Sequence, residues 1–244
     1  MKQVFVDQPL SLGNIVDLEE ATAHHIFDVL RTRGHERIRV IDSDHHLFFG
    51  RTLEKPRIEI LEQIEEAEEN PIELTLCAAL IKVDKFEWML QKATELGVTR
   101  IVPFTSENTV VSIDSKKLAR KMERWNSICM GACRQSNRTR LVRIEEPCTL
   151  KDLPKYLSGL NLCAWEKKGP DHMLAALLPA IADSATFVIG PEGGLSQGEA
   201  QYLEEHGFSL CSLGSRILRA ETAACYVLSA ADYQLSLDHL KLYE

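Results

Sequence analysis

The feature that most constrains this chain is a change in hydrophobic period near residue 70. Upstream, short runs alternate with period two: Val4–Val6, Arg37–Ile41, Leu47–Phe49 and Arg57–Ile60. Turn residues at Gly34, Asp42-Ser43-Asp44 and Gly50 separate them, as in a small β-rich unit. One short helix is expected over Glu19–Leu30. The segment Glu62–Asn70, with five acidic residues, reads as a solvated connector ended by Pro71. Downstream, strand-like runs alternate with helical spacing. Ile72–Ile81, Val98–Phe104, Leu160–Trp165, Thr186–Gly190 and Phe208–Leu213 are the expected strands. Between and after them come helices. Phe86, Met89, Leu90, Ala93 and Leu96 share one face ahead of Gly97. Further helices are expected over Ser115–Gln135, Met173–Ile181, Ser196–Gly207 and Ala220–Leu235. Such alternation implies an α/β domain with a parallel sheet over 71–244, preceded by a β-rich domain over 1–70.

Composition excludes several classes. With 45% hydrophobic and 26% charged residues, 244 residues suffice for one large or two modest cored domains. The longest strongly apolar run, Met173–Ala182, is ten residues and contains Pro179, too short for a membrane span. The opening MKQVFVDQPLSLG lacks the apolar core of a secretory signal. Seven scattered cysteines without a CxxC pair fit reduced thiols in a cytoplasmic protein, and Cys129 and Cys133 read as apolar packing. No metal-ligand pattern is present, and His45-His46 reads as a hairpin tip. The net charge of −8 is unevenly distributed: residues 1–70 carry −7, whereas 116–143 hold nine basic residues against Glu123 alone. A nucleic-acid partner therefore stays open.

The chemistry is expected in two segments, Val188–Ser196 (VIGPEGGLS) and Leu213–Ala223 (LGSRILRAETA). Each falls where a strand gives way to a helix, and open α/β sheets bind ligands at the carboxyl ends of their strands. Neither is a phosphate-binding P-loop, and Gly190, Gly193 and Gly194 do not fit the dinucleotide fingerprint. Glu192 beside glycines suits a ligand bearing hydroxyls, amines or positive charge. S-adenosylmethionine has all three, although composition does not single it out. Two tight βα corners without a ligand are the plainer reading.

GPEGGLS followed by LGSRILRAETAA resembles the ribosomal RNA small subunit methyltransferase E family, of the SPOUT class. Gln91–Val98 with Ile101-Val102-Pro103, His24-His25 with Val29-Leu30-Arg31, and Gln135-Ser136 with Arg138 match it in order along the chain. The resemblance implies a PUA- or OB-like β-barrel at 1–70, which binds RNA, and a trefoil-knotted α/β methyltransferase domain at 71–244. It also implies a homodimer that methylates N3 of one uridine in small-subunit ribosomal RNA, free or assembled, with S-adenosylmethionine as donor. By position, Gly190, Glu192, Gly193, Gly194, Leu213, Gly214, Ile217, Leu218 and Ala223 form the cofactor shell. Departures from the family pattern stand at Lys2-Gln3, His35, Arg134 and Arg143.

For such a transfer, Arg219 is the candidate for stabilising a uridine anion and Glu221 the candidate base or orienter. Both also suit a helix-capping role. Arg31, Lys92, Arg134 and Arg138 are the candidate RNA contacts. Lys117, Arg120, Lys121 and Arg124 read as a solvated helix face, and Trp125 as core. Methylation of another RNA nucleotide, a nucleotide-dependent enzyme and a non-catalytic RNA-binding factor remain alternatives.

Overall fold

The computed structural model describes residues 2–65, 72–111, 114–169 and 172–241. The expected connector runs partly outside them, since residues 66–71 are not described. Contacts divide the chain into two units: Met1–Glu69 with Cys133–Leu141, and Asn70–Ala132 with Val142–Glu244. A nine-residue stretch from the middle of the expected second domain thus groups with the first unit.

The first unit is a curled five-stranded sheet. Its strands are β1 (Gln3–Phe5), β2 (Ile15–Asp17), β3 (Arg37–Ile41), β4 (Leu47–Thr52) and β5 (Arg57–Ile64), in the order β1-β3-β4-β5-β2. Apart from the parallel β1–β3 pair, all neighbours are antiparallel. Ile38, Val40, Phe48, Ile58 and Ile60 are buried together, which follows from their alternation with polar neighbours. The expected helix at Glu19–Leu30 splits into α1 (Glu20–Ala23) and a π-helical segment, His24–Val29. Its i→i−5 geometry shows in Leu30 N–H donating to His25 O at 2.9 Å. At the β3–β4 corner, Asp42, Asp44 and His46 place potential ligand atoms within 4.8 Å of one another. The turn itself uses the Asp42 carboxylate, which accepts from the backbone N–H groups of Asp44 (3.0 Å), His46 (2.8 Å) and Leu10 (3.3 Å).

The second unit contains a seven-stranded sheet, every pairing of which is parallel. It contains β6 (Glu73–Ala79), β7 (Arg100–Thr105), β8 (Arg143–Ile144), β9 (Cys148–Thr149), β10 (Leu160–Ala164), β11 (Ser184–Ile189) and β12 (Ser209–Cys211). The order is β12-β10-β11-β6-β7-β8, with β9 also on β7. Leu76, Ile101, Val102, Phe187 and Val188 are essentially inaccessible, as expected for strands covered on both faces. The helices are α2 (Val83–Glu95), α3 (Ser115–Gln135), α4 (Leu174–Leu177), α5 (Gln197–Glu205) and α6 (Ala220–Lys241). Phe86, Met89, Leu90 and Ala93 form the buried face of α2. Phe86 meets Trp125 of α3 with ring centroids 4.9 Å apart, so Trp125 is core. Truncating such an aromatic typically costs about 3–5 kcal/mol.

The helix expected over Met173–Ile181 is one α-turn followed by a 3₁₀ turn, Leu178–Ala180, because Pro179 has no N–H with which to continue the ladder. A 3₁₀ helix at Leu150–Tyr156 was not foreseen, although Thr149 and Asp152 cap it reciprocally at capping-box spacing. All seven cysteines are free. No helix among the described residues is long and apolar enough to cross a membrane.

Candidate functional site

Within the second unit, the carboxyl ends of β10, β11 and β12 open onto one cavity of about 460 Å³. That lies within the range of pockets that enclose small organic ligands. The first wall is the β11 loop. Gly194 adopts φ +71°, a conformation that favours glycine, and its N–H donates to Pro191 O at 2.9 Å. Gly193 is held against the turn after β7, where a Cβ would lie 3.0 Å from Asn108 Cβ. The Asn108 side-chain amide donates to Gly193 O (3.3 Å) and Gly194 O (3.0 Å). At the loop's far end, Ser196 and Glu199 form the expected reciprocal cap, and Glu199 also accepts from the Glu107 N–H at 2.8 Å. The loop is therefore fixed from both ends before any ligand arrives.

The second wall runs from Ser212 to Ala220 and continues to Ala223 on α6. Ile217 is 87% exposed, so its side chain awaits a cover. Neither the Arg216 nor the Arg219 guanidinium is ion-paired among the described residues. Together the two walls bring Gly190, Glu192, Gly193, Gly194, Leu213, Gly214, Ile217, Leu218, Arg219 and Ala223 around this cavity.

Glu221 is placed differently. It is buried in the first turn of α6, where a carboxylate meets the positive end of the helix, and Lys85 Nζ on α2 lies 3.8 Å from its Oε1. Thr222 beside it is exposed. The β6–α2 corner touches the first wall as well, with the Lys82 N–H 3.5 Å from Glu192 Oε1.

The third wall, Ala164-Trp165-Glu166 after β10, was not singled out from sequence. The signal was available, because Leu160–Trp165 is an expected strand and its end obeys the same rule as the other two. Asn108 and Lys85 had no such signal, since only the fold brings them near these loops.

The expected RNA contacts do not form one group. Arg31, Arg134 and Arg138 belong to the first unit, Lys92 to the second. Arg31 is exposed, at φ +49°. Arg134 is largely covered, its Nε buried without a partner, and desolvation lowers its pKa. Burial, then the charges of Arg134 and His24, pull the pKa of His25 below the usual histidine value. Arg138 is only 6% exposed and its carbonyl accepts from the Gln3 side-chain amide at 2.7 Å, so it offers a partner little surface. Lys92 Nζ is paired with the Glu95 carboxylate at 2.8 Å. On α3, Lys117 is exposed and Lys121 half-buried, while Arg124 is paired with Glu87 at 2.9 Å.

The family model for an RNA methyltransferase domain matches residues 68–232. The chain is 34% identical over 227 residues to the ribosomal RNA small subunit methyltransferase E of Bacillus subtilis, covering 88% of each chain. It is 33% identical to the protein of that name in Mesomycoplasma hyopneumoniae, covering 88% of this chain and 93% of that one. Among solved structures, the Neisseria gonorrhoeae ribosomal RNA small subunit methyltransferase E bound to S-adenosyl methionine superimposes with a TM-score of 0.86 at 30% identity. The match covers 96% of this chain and 97% of that one. A methyltransferase from Legionella pneumophila in complex with the same cofactor gives 0.83 at 29% identity, covering 95% and 96%. A parallel α/β sheet with its cavity at three strand ends thus coincides with likeness over nearly the whole chain, and the protein belongs to the ribosomal RNA small subunit methyltransferase E family.

Proposed function

We propose that this chain methylates N3 of a uridine in small-subunit ribosomal RNA, with S-adenosylmethionine bound in the cavity at the ends of β10, β11 and β12. The observation that carries the reading is that cavity, lined by two glycine-containing loops, in a chain whose relatives at 29–30% identity were solved with this cofactor. The donor supplies an electrophilic methyl group on a sulfonium. The residues fit it: the Trp165 indole N–H in the cavity wall is buried without an acceptor. A buried unpaired donor is unusual in a finished protein interior and suits a wall that a ligand completes.

Transfer to N3 requires the imino proton to leave and the reacting atoms to be held in line. Arg219, on the cavity wall without an ion-pair partner, stabilises the negative charge that develops on the base. Glu221, buried beside Lys85, orients the acceptor or takes its proton. No metal takes part in this reading. Residues 1–70 act as a PUA- or OB-like β-barrel domain that holds RNA through exposed cations such as Arg31, with Arg134 alongside. Residues 71–244 form the methyltransferase domain, its C-terminal chain threaded as a trefoil knot. The protein acts in the cytoplasm as a homodimer. The exposed Trp88 of α2 and the exposed Tyr226 and Tyr233 of α6, helices that pack on one another, supply an apolar surface for the second copy. Mapping of small-subunit ribosomal RNA from cells lacking this protein is expected to show one uridine without its methyl group, restored by the wild-type gene. Methylation lost at another kind of base would replace the uridine assignment, and an unchanged map would leave an RNA-binding role without catalysis.

A further inference from the structure

The third wall of the cavity carries a charge that neither of the glycine loops explains. Glu166 lines the cavity, and its Oε1 lies 3.4 Å from where a Cβ on Gly194 would stand. Its carboxylate therefore faces the turn of the first wall at close range. It makes no hydrogen bond and no ion pair among the described residues. The lysines that follow are engaged elsewhere: Lys167 Nζ lies over the Trp165 ring, 5.8 Å from its centroid, and Lys168 Nζ lies 2.8 Å from Glu204. Across the cavity, Arg216 and Arg219 are also without ion-pair partners. The cavity is thus bipolar, with the carboxylates of Glu166 on the β10 side and Glu192 on the β11 loop, the latter 3.5 Å from the Lys82 N–H, facing two guanidiniums without ion-pair partners on the β12 side.

An arrangement of this kind distinguishes ligands by where their charge sits. The methyl donor and the product left after transfer differ by one methyl group and one positive charge, because the sulfonium becomes a neutral thioether. Contacts to the adenine, the ribose and the amino-acid end are common to both. A carboxylate near the sulfur end favours the charged donor and contributes nothing comparable to the neutral product.

We propose that the donor's sulfonium lies on the β10 side of the cavity and that Glu166 there is a specificity-determining residue, which makes the cavity prefer S-adenosylmethionine over S-adenosylhomocysteine and so favours product release after each transfer. This rests on the placement of the donor in this cavity. The preference is electrostatic, so added salt weakens it. Glu166 is exposed, so the interaction is partly screened. One partly screened charge beside a sulfonium then changes relative affinity by about five- to tenfold.

The test is titration calorimetry of the full-length protein and of Glu166→Gln with each ligand, after checking that both melt alike. The substitution keeps size and removes charge. The expected result is a loss of about five- to tenfold in affinity for S-adenosylmethionine, with S-adenosylhomocysteine unchanged within about twofold. Glu166→Asp, which keeps the charge on a shorter arm, should retain part of the preference. Equal weakening of both ligands would mean that Glu166 holds a group they share, and would overturn the proposal. Unchanged affinity for both would overturn it as well. A wild-type protein that binds neither ligand would instead remove the donor from this cavity, and the proposal would fall with that assignment.

Discussion

The residues expected to meet the cofactor and those expected to meet RNA fared differently in space. Nine cofactor candidates from two segments, 190–194 and 213–223, surround a single cavity. Four RNA candidates are split between two units, one of them buried and one paired with a neighbouring carboxylate. The reason is physical. A backbone-built site at parallel strand ends follows from topology, so the two segments could be located by the strand-end rule, and the family resemblance then picked the nine residues within them. Whether a basic side chain is available to a phosphate depends on burial and ion pairing, which the density of Lys and Arg along the sequence does not determine.

The largest effect that would sharpen this contrast is at Arg219. If its guanidinium stabilises charge in the transition state, Arg219→Ala should lower the single-turnover rate by about 10²–10³ with cofactor affinity nearly unchanged. Arg219→Lys should recover only part, since it lacks the planar fork. A helix cap would behave oppositely, with a reduced melting temperature and near-normal turnover. Next is Gly193→Val, whose branched side chain must displace Asn108 from 3.0 Å. Overpacking of this kind should weaken S-adenosylmethionine binding by about 10- to 100-fold while the first unit stays folded. Calorimetry showing wild-type affinity in a folded variant would remove the β11 loop from the site.

Smaller effects are expected at the third wall and in the first unit. Trp165→Phe removes an indole N–H that has no partner without ligand, so the melting temperature of the free protein should fall only by what the smaller ring loses in packing against the core. Affinity for the cofactor should drop by about three- to tenfold if that N–H is satisfied by ligand. For RNA, Arg134→Ala should flatten the log–log salt dependence of binding by about 0.7 if Arg134 meets a single-strand phosphate. Arg138→Ala, at a buried position, should leave the slope unchanged and lower the melting temperature. A flattened slope for Arg138→Ala would restore it as an RNA contact and erase the distinction drawn between the two arginines.

Much of this architecture was legible before the structure. The parallel strands and the Ser196–Glu199 cap both rest on local spacing. Where tertiary geometry intervened, legibility stopped. Pro179 cut the expected helix after one turn, and the His24–Val29 segment took π rather than α geometry. The pairing of Lys85 with Glu221 joins residues 136 positions apart and has no sequence signal. The Trp165–Glu166 wall was within reach of the strand-end rule, but it contains no glycine to draw attention to it.

The most direct test of the central claim is methyl transfer in vitro. Purified protein is incubated with isotope-labelled S-adenosylmethionine and small subunits, or naked small-subunit RNA, from cells lacking the gene. The RNA is then digested to nucleosides and analysed by mass spectrometry. The account predicts label in 3-methyluridine at one site, most strongly reduced in Arg219→Ala and less so in Gly193→Val. Label in any other nucleoside, or no label with folded wild-type protein bound to both cofactor and RNA, would contradict it.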